Sequence, residues 1–216
     1  MQTVAVIDYG MSNLRSVAKA LEFVAGPDHE VRVVDKPEAI HTADRVVFPG
    51  QGAIGNCMDN LVSHGLIDAL REAMRTKPFL GICLGLQSLM EESEEDGGRR
   101  CLGLLRGWVV RFPENLTDPN NGERLKVPHM GWNQVVQTRE HPLWKDIAPE
   151  SRFYFVHSYY VDPEDKSVIA GATDYGLRFT SAVARDNLFA TQFHPEKSQK
   201  AGLTLLANFL NWDGQA

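Results

Sequence analysis

The segment from Pro78 to Met90 constrains the fold of this 216-residue chain more than any other. Its first part, Phe79 to Ile82, is an uninterrupted apolar run typical of a strand that is buried on both faces. The part from Leu84 to Met90 has the leucine and methionine content of a helix, so Cys83 lies where a strand becomes a helix. Strands that alternate with helices in this way indicate an α/β fold with a parallel sheet.

Gly81 and Gly85 flank Cys83 symmetrically and give the pattern Gly-x-Cys-x-Gly. This is the nucleophile-elbow pattern with sulfur in place of oxygen, because the glycines allow the sharp turn that holds a nucleophile out at the edge of a sheet. A helix N-terminus also favours the thiolate form of a cysteine. The alternative is an inert cysteine packed in the core, since free cysteines are among the most buried residues.

Composition and charge narrow the class of protein. The hydrophobic content of 43% is enough for one large domain, and the net charge of -6 without a basic cluster disfavours binding to nucleic acid or to an anionic membrane. The apolar stretch from Val4 to Ile7 is too short for a secretory or membrane segment. Three cysteines, an odd number without metal-ligand spacing, fit a reducing cytoplasm and leave a catalytic thiol possible, with Cys57 and Cys101 as inert thiols. We expect a cytoplasmic protein without a metal or other cofactor.

Strand-like and helical segments alternate in the first half of the chain, whereas the second half is mostly strand-like. The predicted strands are Val4 to Ile7, Val31 to Val34, Val46 to Phe48, Phe79 to Ile82, Trp108 to Phe112, Gln134 to Thr138, Arg152 to Val161, Ala182 to Arg185 and Leu188 to Phe193. The predicted helices are Leu14 to Ala25, capped by Ser12 or Asn13, Met58 to Met74, Leu84 to Met90 and Ala201 to Trp212. We therefore expect one α/β domain over residues 1–216, with a mostly parallel central sheet, helices on both faces and an antiparallel extension.

A glycine-rich loop from Pro49 to Gly55 follows the third predicted strand. Such a loop exposes backbone amides that a ligand can approach closely, but it lacks the lysine and the serine or threonine that end a phosphate-binding P-loop. In an elbow enzyme the amide after the nucleophile and an amide from a neighbouring loop bind the oxyanion. We expect these donors to be Leu84 and the loop residues Gly50, Gln51 and Gly52, although an ordinary strand-to-helix turn would show the same composition.

His194 and Glu196 lie two residues apart at the end of the last predicted strand. In an extended chain such residues point to the same side, and Pro195 between them resists helix. A histidine that deprotonates Cys83 and is oriented by a glutamate completes a nucleophile, base and orienter triad. Each residue could be structural alone, but all three fall at carboxyl ends of predicted strands, where α/β sheets place their sites. The residues thus predict a cysteine hydrolase that acts by acyl transfer.

The segments Gly81 to Gln87 and Phe193 to Glu196 resemble the two hallmark motifs of the class I glutamine amidotransferases, in the same chain order. The resemblance implies that a Cys-His-Glu triad of Cys83, His194 and Glu196 releases ammonia from glutamine through a thioester. It also implies that Gln87 and Glu95 line the glutamine pocket, with Glu95 suited to the substrate ammonium group.

Four further segments resemble the branch of this family that serves imidazole glycerol phosphate synthase in histidine biosynthesis: Val6 to Val17, Pro128 to Asn133, Tyr154 to Tyr159 and His194 to Ser198. The resemblance implies a heterodimer with a (β/α)8-barrel cyclase subunit, which would receive the ammonia. Trp132, Tyr154 and Lys197 match positions at that interface, while aromatic core residues and a surface lysine are the alternative. Ser12 stands where the family usually has glycine, and this difference touches no triad residue.

Two other functions stay open at this point. One is a glutaminase that serves a different synthase, such as that of anthranilate or guanine nucleotides, and the other is a glutamine-binding regulatory module without turnover. The start Asp8-Tyr9-Gly10 and the segment Met130 to Asn133 argue against the first, and the intact triad argues against the second.

Overall fold

The computed structural model describes residues 1–10, 14–119 and 121–215, so the predicted cap residues Ser12 and Asn13 lie outside the described residues. The strands are β1 (Gln2–Ile7), β2 (His29–Val34), β3 (Arg45–Gly50), β4 (Phe79–Cys83), β5 (Glu92–Ser93), β6 (Arg99–Arg100), β7 (Gly107–Arg111), β8 (His129–Gln134), β9 (Val136–Gln137), β10 (Arg152–His157), β11 (Tyr159–Pro163), β12 (Ile169–Asp174), β13 (Arg178–Arg185) and β14 (Leu188–Thr191). The helices are α1 (Leu14–Val24), α2 (Pro37–Thr42), α3 (Ile54–Ser63), α4 (Ile67–Thr76), α5 (Leu84–Gln87) and α6 (Gln199–Asn211). Short 3-10 segments cover Glu95–Gly97, Pro142–Trp144, Lys166–Val168 and Pro195–Lys197.

Twelve of these strands form one sheet, in which ten follow the order β2-β1-β3-β4-β14-β13-β11-β7-β5-β6. The first five of this order pair in parallel, and the strands from β14 through β13 and β11 to β7 pair antiparallel. Strand β12 branches from β13 and carries β9. The predicted parallel centre with an antiparallel extension is confirmed.

Apolar residues fill both faces of the sheet. Helices α1 and α6 bury Val17, Leu21 and Leu205 against one face, and helices α3 and α4 bury Leu61 and Leu70 against the other. The parallel strands read as continuous apolar runs because both faces are covered in this way. No helix in the described parts of the chain combines the length and the apolar composition needed to cross a bilayer.

A two-stranded antiparallel ribbon of β8 and β10 stands apart from the main sheet. The sequence predicted one strand from Arg152 to Val161, but the chain leaves the ribbon after His157 and enters the main sheet at Tyr159. The strand predicted from Gln134 to Thr138 is also interrupted, because β8 ends at Gln134 and β9 is a separate short strand. Both regions form strands, as predicted, but the predicted bounds of these strands were wrong.

Two predicted helices are also shorter than expected. The segment from Met58 to Met74 contains α3 and α4, which Gly65 separates with a φ of 66°, a left-handed conformation that suits glycine and ends a helix. The helix predicted from Leu84 to Met90 ends at Gln87, after which the amides of Leu89 and Met90 bond to carbonyls three residues back. This tightening is a common way to close a helix.

Candidate active site

Cys83 lies at the sharp turn between β4 and α5, with φ 55° and ψ -105°. A positive φ is unusual for a residue other than glycine and is found where the surroundings enforce it. A Cβ atom at Gly85 would lie 1.9 Å from the carbonyl oxygen of Phe48, and one at Gly81 would lie 2.9 Å from the Cβ of Ala190. Both glycines are therefore required by the close approach of neighbouring strands, and the expected elbow is present.

His194 and Glu196 form a buried pair beside the elbow. The Nδ1 atom of His194 donates to Oε1 of Glu196 at 2.8 Å, and the two side chains are only 2% and 1% exposed. This bond leaves Nε2 as the basic nitrogen of the neutral ring, and Nε2 has no hydrogen-bond partner among the described residues. Cys83 and His194 line the same cavity, so this nitrogen is available to the thiol.

The backbone between His194 and Glu196 has a different conformation from the extended one that was predicted. The last strand ends at Thr191, and Pro195 to Lys197 form a 3-10 turn instead of an extended segment. Proline suits the first position of such a turn because its own amide is absent and its φ is fixed. The turn folds Glu196 back onto His194, while Ser198 donates from Oγ to the His194 carbonyl at 2.6 Å. The expected contact was right, and the extended geometry argued for it was wrong.

Neighbouring negative charge favours the protonated form of His194. Burial alone lowers the pKa of His194, but the charge of the Cys83 thiolate, the contact with that sulfur and the Glu196 carboxylate outweigh it and raise the pKa to about 10. Beside an ionised Cys83, the ring is therefore an imidazolium at neutral pH. Such a pair combines a nucleophile with a proton donor.

Gln192, which the sequence prediction missed, is a buried donor to the nucleophile. Its Nε2 atom lies 3.7 Å from Sγ of Cys83, and its Oε1 accepts from Nε2 of Gln87 at 3.1 Å. Gln87 also donates to the carbonyl of Tyr159 at 2.9 Å, so both of its amide hydrogens are used and its Oε1 is left for a ligand. The signal for Gln192 was its position two residues before His194 and directly after β14.

The glycine-rich loop follows β3 and reaches the elbow from the side. Gly50 still belongs to β3 and pairs with Cys83, whereas Gln51 and Gly52 border the cavity together with Leu84. Gly52 has a φ of 93°, which only glycine adopts readily. The structure therefore brings Leu84, Gln51 and Gly52 to the cavity and keeps Gly50 behind them in the sheet.

Glu95 reaches the same cavity from the acidic stretch Glu91 to Asp96. Its carboxylate accepts a hydrogen bond at 2.8 Å from the amide of Ile54, the first residue of α3. Burial raises the pKa of Glu95, and the bond from Ile54 opposes that rise. The Glu95 carboxylate thus accepts from the first amide of α3 and also borders the cavity.

The cavity has a volume of about 330 Å³, which suits a small molecule. It is lined by Gln51, Gly52, Cys83, Leu84, Gln87, Glu95, Pro128, Val156, His157, Ser158, Tyr159 and His194. The segment around His157 was singled out from the sequence for its resemblance only, and its place in the cavity wall was not predicted. No group of three or more His, Cys, Asp or Glu side chains in the described ranges is arranged to hold a metal ion.

A neutral histidine pair joins the ribbon to the cavity wall. His157 Nδ1 donates to the Tyr159 carbonyl at 2.8 Å, and its Nε2 accepts from Nδ1 of His129 at 2.9 Å. Burial lowers the pKa of His157 to about 3 and that of His129 to about 4. Both rings therefore stay uncharged at neutral pH, which fixes the donor and acceptor roles of this pair.

Trp132, Tyr154 and Lys197 lie outside the cavity, where they form one patch on the outer face of the ribbon. The rings of Trp132 and Tyr154 meet edge to face at 6.1 Å, and Nζ of Lys197 lies 6.0 Å from the centre of the Tyr154 ring. Met130 and Trp132 are 62% and 42% exposed. We call these four residues the ribbon patch; large exposed side chains grouped in this way are typical of a protein interface.

Comparisons of the sequence with known proteins all point to one family. The profile of the family "Glutamine amidotransferase class-I" matches residues 5–212. The HisH protein of imidazole glycerol phosphate synthase from Aromatoleum aromaticum is 57% identical over 98% of this chain and 99% of its own. The protein of that name from Methylococcus capsulatus is 58% identical over 99% of this chain and 98% of its own.

Solved structures share the fold at much lower identity. A glutamine amidotransferase from Thermotoga maritima has a TM-score of 0.68 at 13% identity, covering 97% of this chain and 96% of its own. A chain of PurLQS from Thermotoga maritima has a TM-score of 0.72 at 18% identity, covering 98% of this chain and 99% of its own. These likenesses concern the α/β fold described above.

Replacing Gly85 by alanine should destabilise the elbow. The new Cβ would collide with the backbone of β3, which cannot rotate away as a side chain could, so we expect Gly85→Ala to lower the free energy of unfolding by about 3 kcal/mol or more. Urea unfolding would measure this loss. Gly26→Ala is the matched control, because a Cβ there meets nothing within 4 Å. Equal unfolding midpoints for the two variants would contradict the steric argument.

Proposed function

The chain belongs to the class I glutamine amidotransferases, in the branch of the HisH subunits of imidazole glycerol phosphate synthase, and on that premise we propose how its site releases ammonia and where the ammonia goes. The protein is a glutaminase. The observation that carries the proposed mechanism is the Cys83 and His194 pair, which borders one small cavity while Glu196 holds the ring from behind.

The thiolate of Cys83 attacks the carboxamide carbon of glutamine, and the carbonyl oxygen takes the negative charge. The amide of Leu84 and an amide at Gln51 or Gly52 stabilise this oxyanion, an interaction worth about a hundredfold to a thousandfold in rate for each donor. The imidazolium of His194 gives its proton to the leaving nitrogen, which departs as ammonia. The product of this half-reaction is a thioester on Cys83.

His194 then changes its role, because acylation removes the thiolate, the larger of the two neighbouring charges that raised its pKa. The thiolate no longer exists in the thioester, while burial of the ring still lowers the pKa. The neutral ring can therefore take a proton from water, which attacks the thioester carbon and releases glutamate. The same proton returns the pair to its resting state, so the cycle is balanced.

Glu95 and Gln87 hold the substrate in this proposal. Glu95 offers a carboxylate to the α-ammonium group of glutamine, and Gln87 offers the Oε1 atom that its own hydrogen bonds leave unused. Gln192 supports the nucleophile through the 3.7 Å contact with sulfur. The site needs no metal or other cofactor for these steps, since the thiol and the imidazole supply the nucleophile and the proton transfer.

The proposed partner is a (β/α)8-barrel cyclase subunit, bound as a heterodimer over the ribbon patch. The name of the relatives from Aromatoleum aromaticum and Methylococcus capsulatus describes one subunit of a synthase, which supports an obligate second chain. Ammonia in water at neutral pH is mostly protonated and not nucleophilic, so a docked interface that passes it on protects its reactivity. In the cyclase it would serve the synthesis of imidazole glycerol phosphate and aminoimidazole carboxamide ribotide.

We further propose that residues 1–216 act as one glutamine amidotransferase domain in the cytoplasm. The three thiols at Cys57, Cys83 and Cys101 are all free, which fits a reducing compartment. A free thiol is also what the mechanism requires of Cys83.

Replacing Cys83 by alanine should separate the two activities of the complex. Cys83→Ala removes the nucleophile, so glutamine-dependent synthesis should be lost, whereas synthesis from added ammonium salt by the cyclase subunit should continue at the wild-type rate. Both rates would be measured with purified subunits and the nucleotide substrate. Cys101→Ala is the control, since this buried thiol does not border the cavity. Loss of both activities, or of neither, would contradict the mechanism, and activation only by the subunit of another synthase would contradict the partner.

Replacing Glu196 by glutamine should shift the pH dependence of glutamine hydrolysis. The carboxylate contributes to the raised pKa of His194, so its loss lowers that pKa and the imidazolium disappears at a lower pH. We expect Glu196→Gln to reduce kcat/KM by about tenfold to a thousandfold and to move the alkaline limb of the profile to lower pH. Glu72→Gln, on the exposed side of α4, is the control. An unchanged alkaline limb would show that Glu196 does not act on His194.

Removing the Trp132 side chain should weaken heterodimer formation. A large exposed aromatic residue at the centre of an interface commonly contributes about 2 kcal/mol or more, so we expect Trp132→Ala to raise the Kd for the cyclase subunit by about thirtyfold. Isothermal titration of the two subunits would measure it. Trp108→Ala is matched in residue type and exposure, at 46% against 42%, but lies on β7 of the main sheet. The interface proposal fails if Trp108→Ala weakens binding as much as Trp132→Ala does.

A further inference from the structure

Tyr9 is a buried tyrosine that lies just after β1 and contacts the start of the glycine-rich loop. Its side chain is 0% exposed, and its hydroxyl donates to the carbonyl oxygen of Pro49 at 3.2 Å. The ring packs against Phe48 with 5.4 Å between the centroids. The hydroxyl is thus held against the peptide that joins Pro49 to Gly50, immediately before the expected oxyanion donors.

The fit between Tyr9 and this loop is close. A Cβ atom at Gly50 would lie 2.5 Å from the Tyr9 hydroxyl and 2.7 Å from the Cβ of Leu84. The glycine therefore lets the hydroxyl on one side and the first residue of α5 on the other approach the same backbone. Burial, followed by the nearby thiols of Cys57 and Cys83, raises the pKa of Tyr9, so the hydroxyl keeps its proton and remains a donor.

The other end of the loop is held independently. The amide of Ile54 donates to the carboxylate of Glu95 at 2.8 Å, which fixes the first turn of α3. The two bonds bracket Gly50 to Ala53, and Gln51 and Gly52 within this stretch border the cavity. With both ends anchored, the direction of the Gln51 and Gly52 amides depends on where the anchors place the loop.

We propose that Tyr9 is a positioning residue for catalysis: its hydroxyl fixes the Pro49 carbonyl and thereby aims the loop amides of Gln51 and Gly52 at the oxyanion. The proposal rests on the proposed function, because it assigns these amides to the oxyanion of glutamine hydrolysis. In this scheme Tyr9 takes no part in proton transfer to or from the Cys83 thiol, and it does not contact the substrate. Its contribution should therefore appear in turnover and not in substrate binding or in the reactivity of the thiol.

The test is Tyr9→Phe, which keeps the ring and removes only the hydroxyl. In the complex with the cyclase chain, supplied with its nucleotide substrate, we expect kcat for glutamine hydrolysis to fall by about tenfold to a hundredfold, less than the complete loss of an oxyanion donor would cost. KM for glutamine should stay within about twofold of the wild-type value. Alkylation of Cys83 by iodoacetamide should proceed at the wild-type rate, because that reaction forms no oxyanion.

Two controls separate positioning from folding. Thr138→Val also removes a hydroxyl that donates to a backbone carbonyl, at 2.8 Å, but in the antiparallel extension, and its kcat should be unchanged. Urea unfolding of each variant should show that Tyr9→Phe stays folded under assay conditions.

Three outcomes would overturn the inference. Wild-type kcat in Tyr9→Phe would show that the hydroxyl does not position the loop. Equal losses of kcat and of the alkylation rate, together with a lower unfolding midpoint, would assign Tyr9 to general stability. If instead the wild-type complex released no glutamate from glutamine, the proposed function itself would be rejected, and this inference would fall with it.

Discussion

The contact between Gly85 and the carbonyl of Phe48 is the constraint on which the site depends. A hydrogen atom fits where a Cβ would lie 1.9 Å from that oxygen, so α5 can begin directly over the end of β3. Two residues before this contact, Cys83 has a positive φ, a strain of about 1–3 kcal/mol that the surrounding structure must offset. The pairing of Gly50 with Cys83 also brings the loop after β3 beside the elbow, so that Gln51, Gly52 and Leu84 border one cavity with Cys83.

Neighbouring charges decide whether the buried ring of His194 is protonated. A lone imidazole as buried as His194 would be neutral, since burial disfavours its charged form. The thiolate and Glu196 reverse that preference, and the reversal depends on a charge that the reaction itself consumes. In the proposed mechanism, His194 is therefore a proton donor before acylation and a proton acceptor after it. Glu196 holds the ring through its 2.8 Å bond to Nδ1, a fixed orientation that a mobile water would not give.

Sequence reasoning recovered the parts of the site that depend on local pattern. The elbow follows from two glycines around Cys83 and an apolar strand before it, and the pairing of His194 with Glu196 follows from their spacing, although the chain achieves it by a 3-10 turn. Gln192 was missed because its role arises from a contact across 109 positions of the sequence. The break in the helix at Gly65 was missed because apolar spacing continues through it, whereas a positive φ is a property of the folded backbone.

The ribbon of β8 and β10 connects the proposed partner interface to the wall of the cavity. Strand β10 carries Tyr154 on its outer face and ends at His157, which borders the cavity and donates to the Tyr159 carbonyl. Gln87 donates to that same carbonyl and to Gln192, which in turn contacts Cys83. A shift of the ribbon would therefore disturb a shared acceptor three hydrogen bonds from Cys83. Because burial lowers the pKa of the two ribbon histidines to about 4 and about 3, both rings stay neutral at neutral pH and this connection holds there.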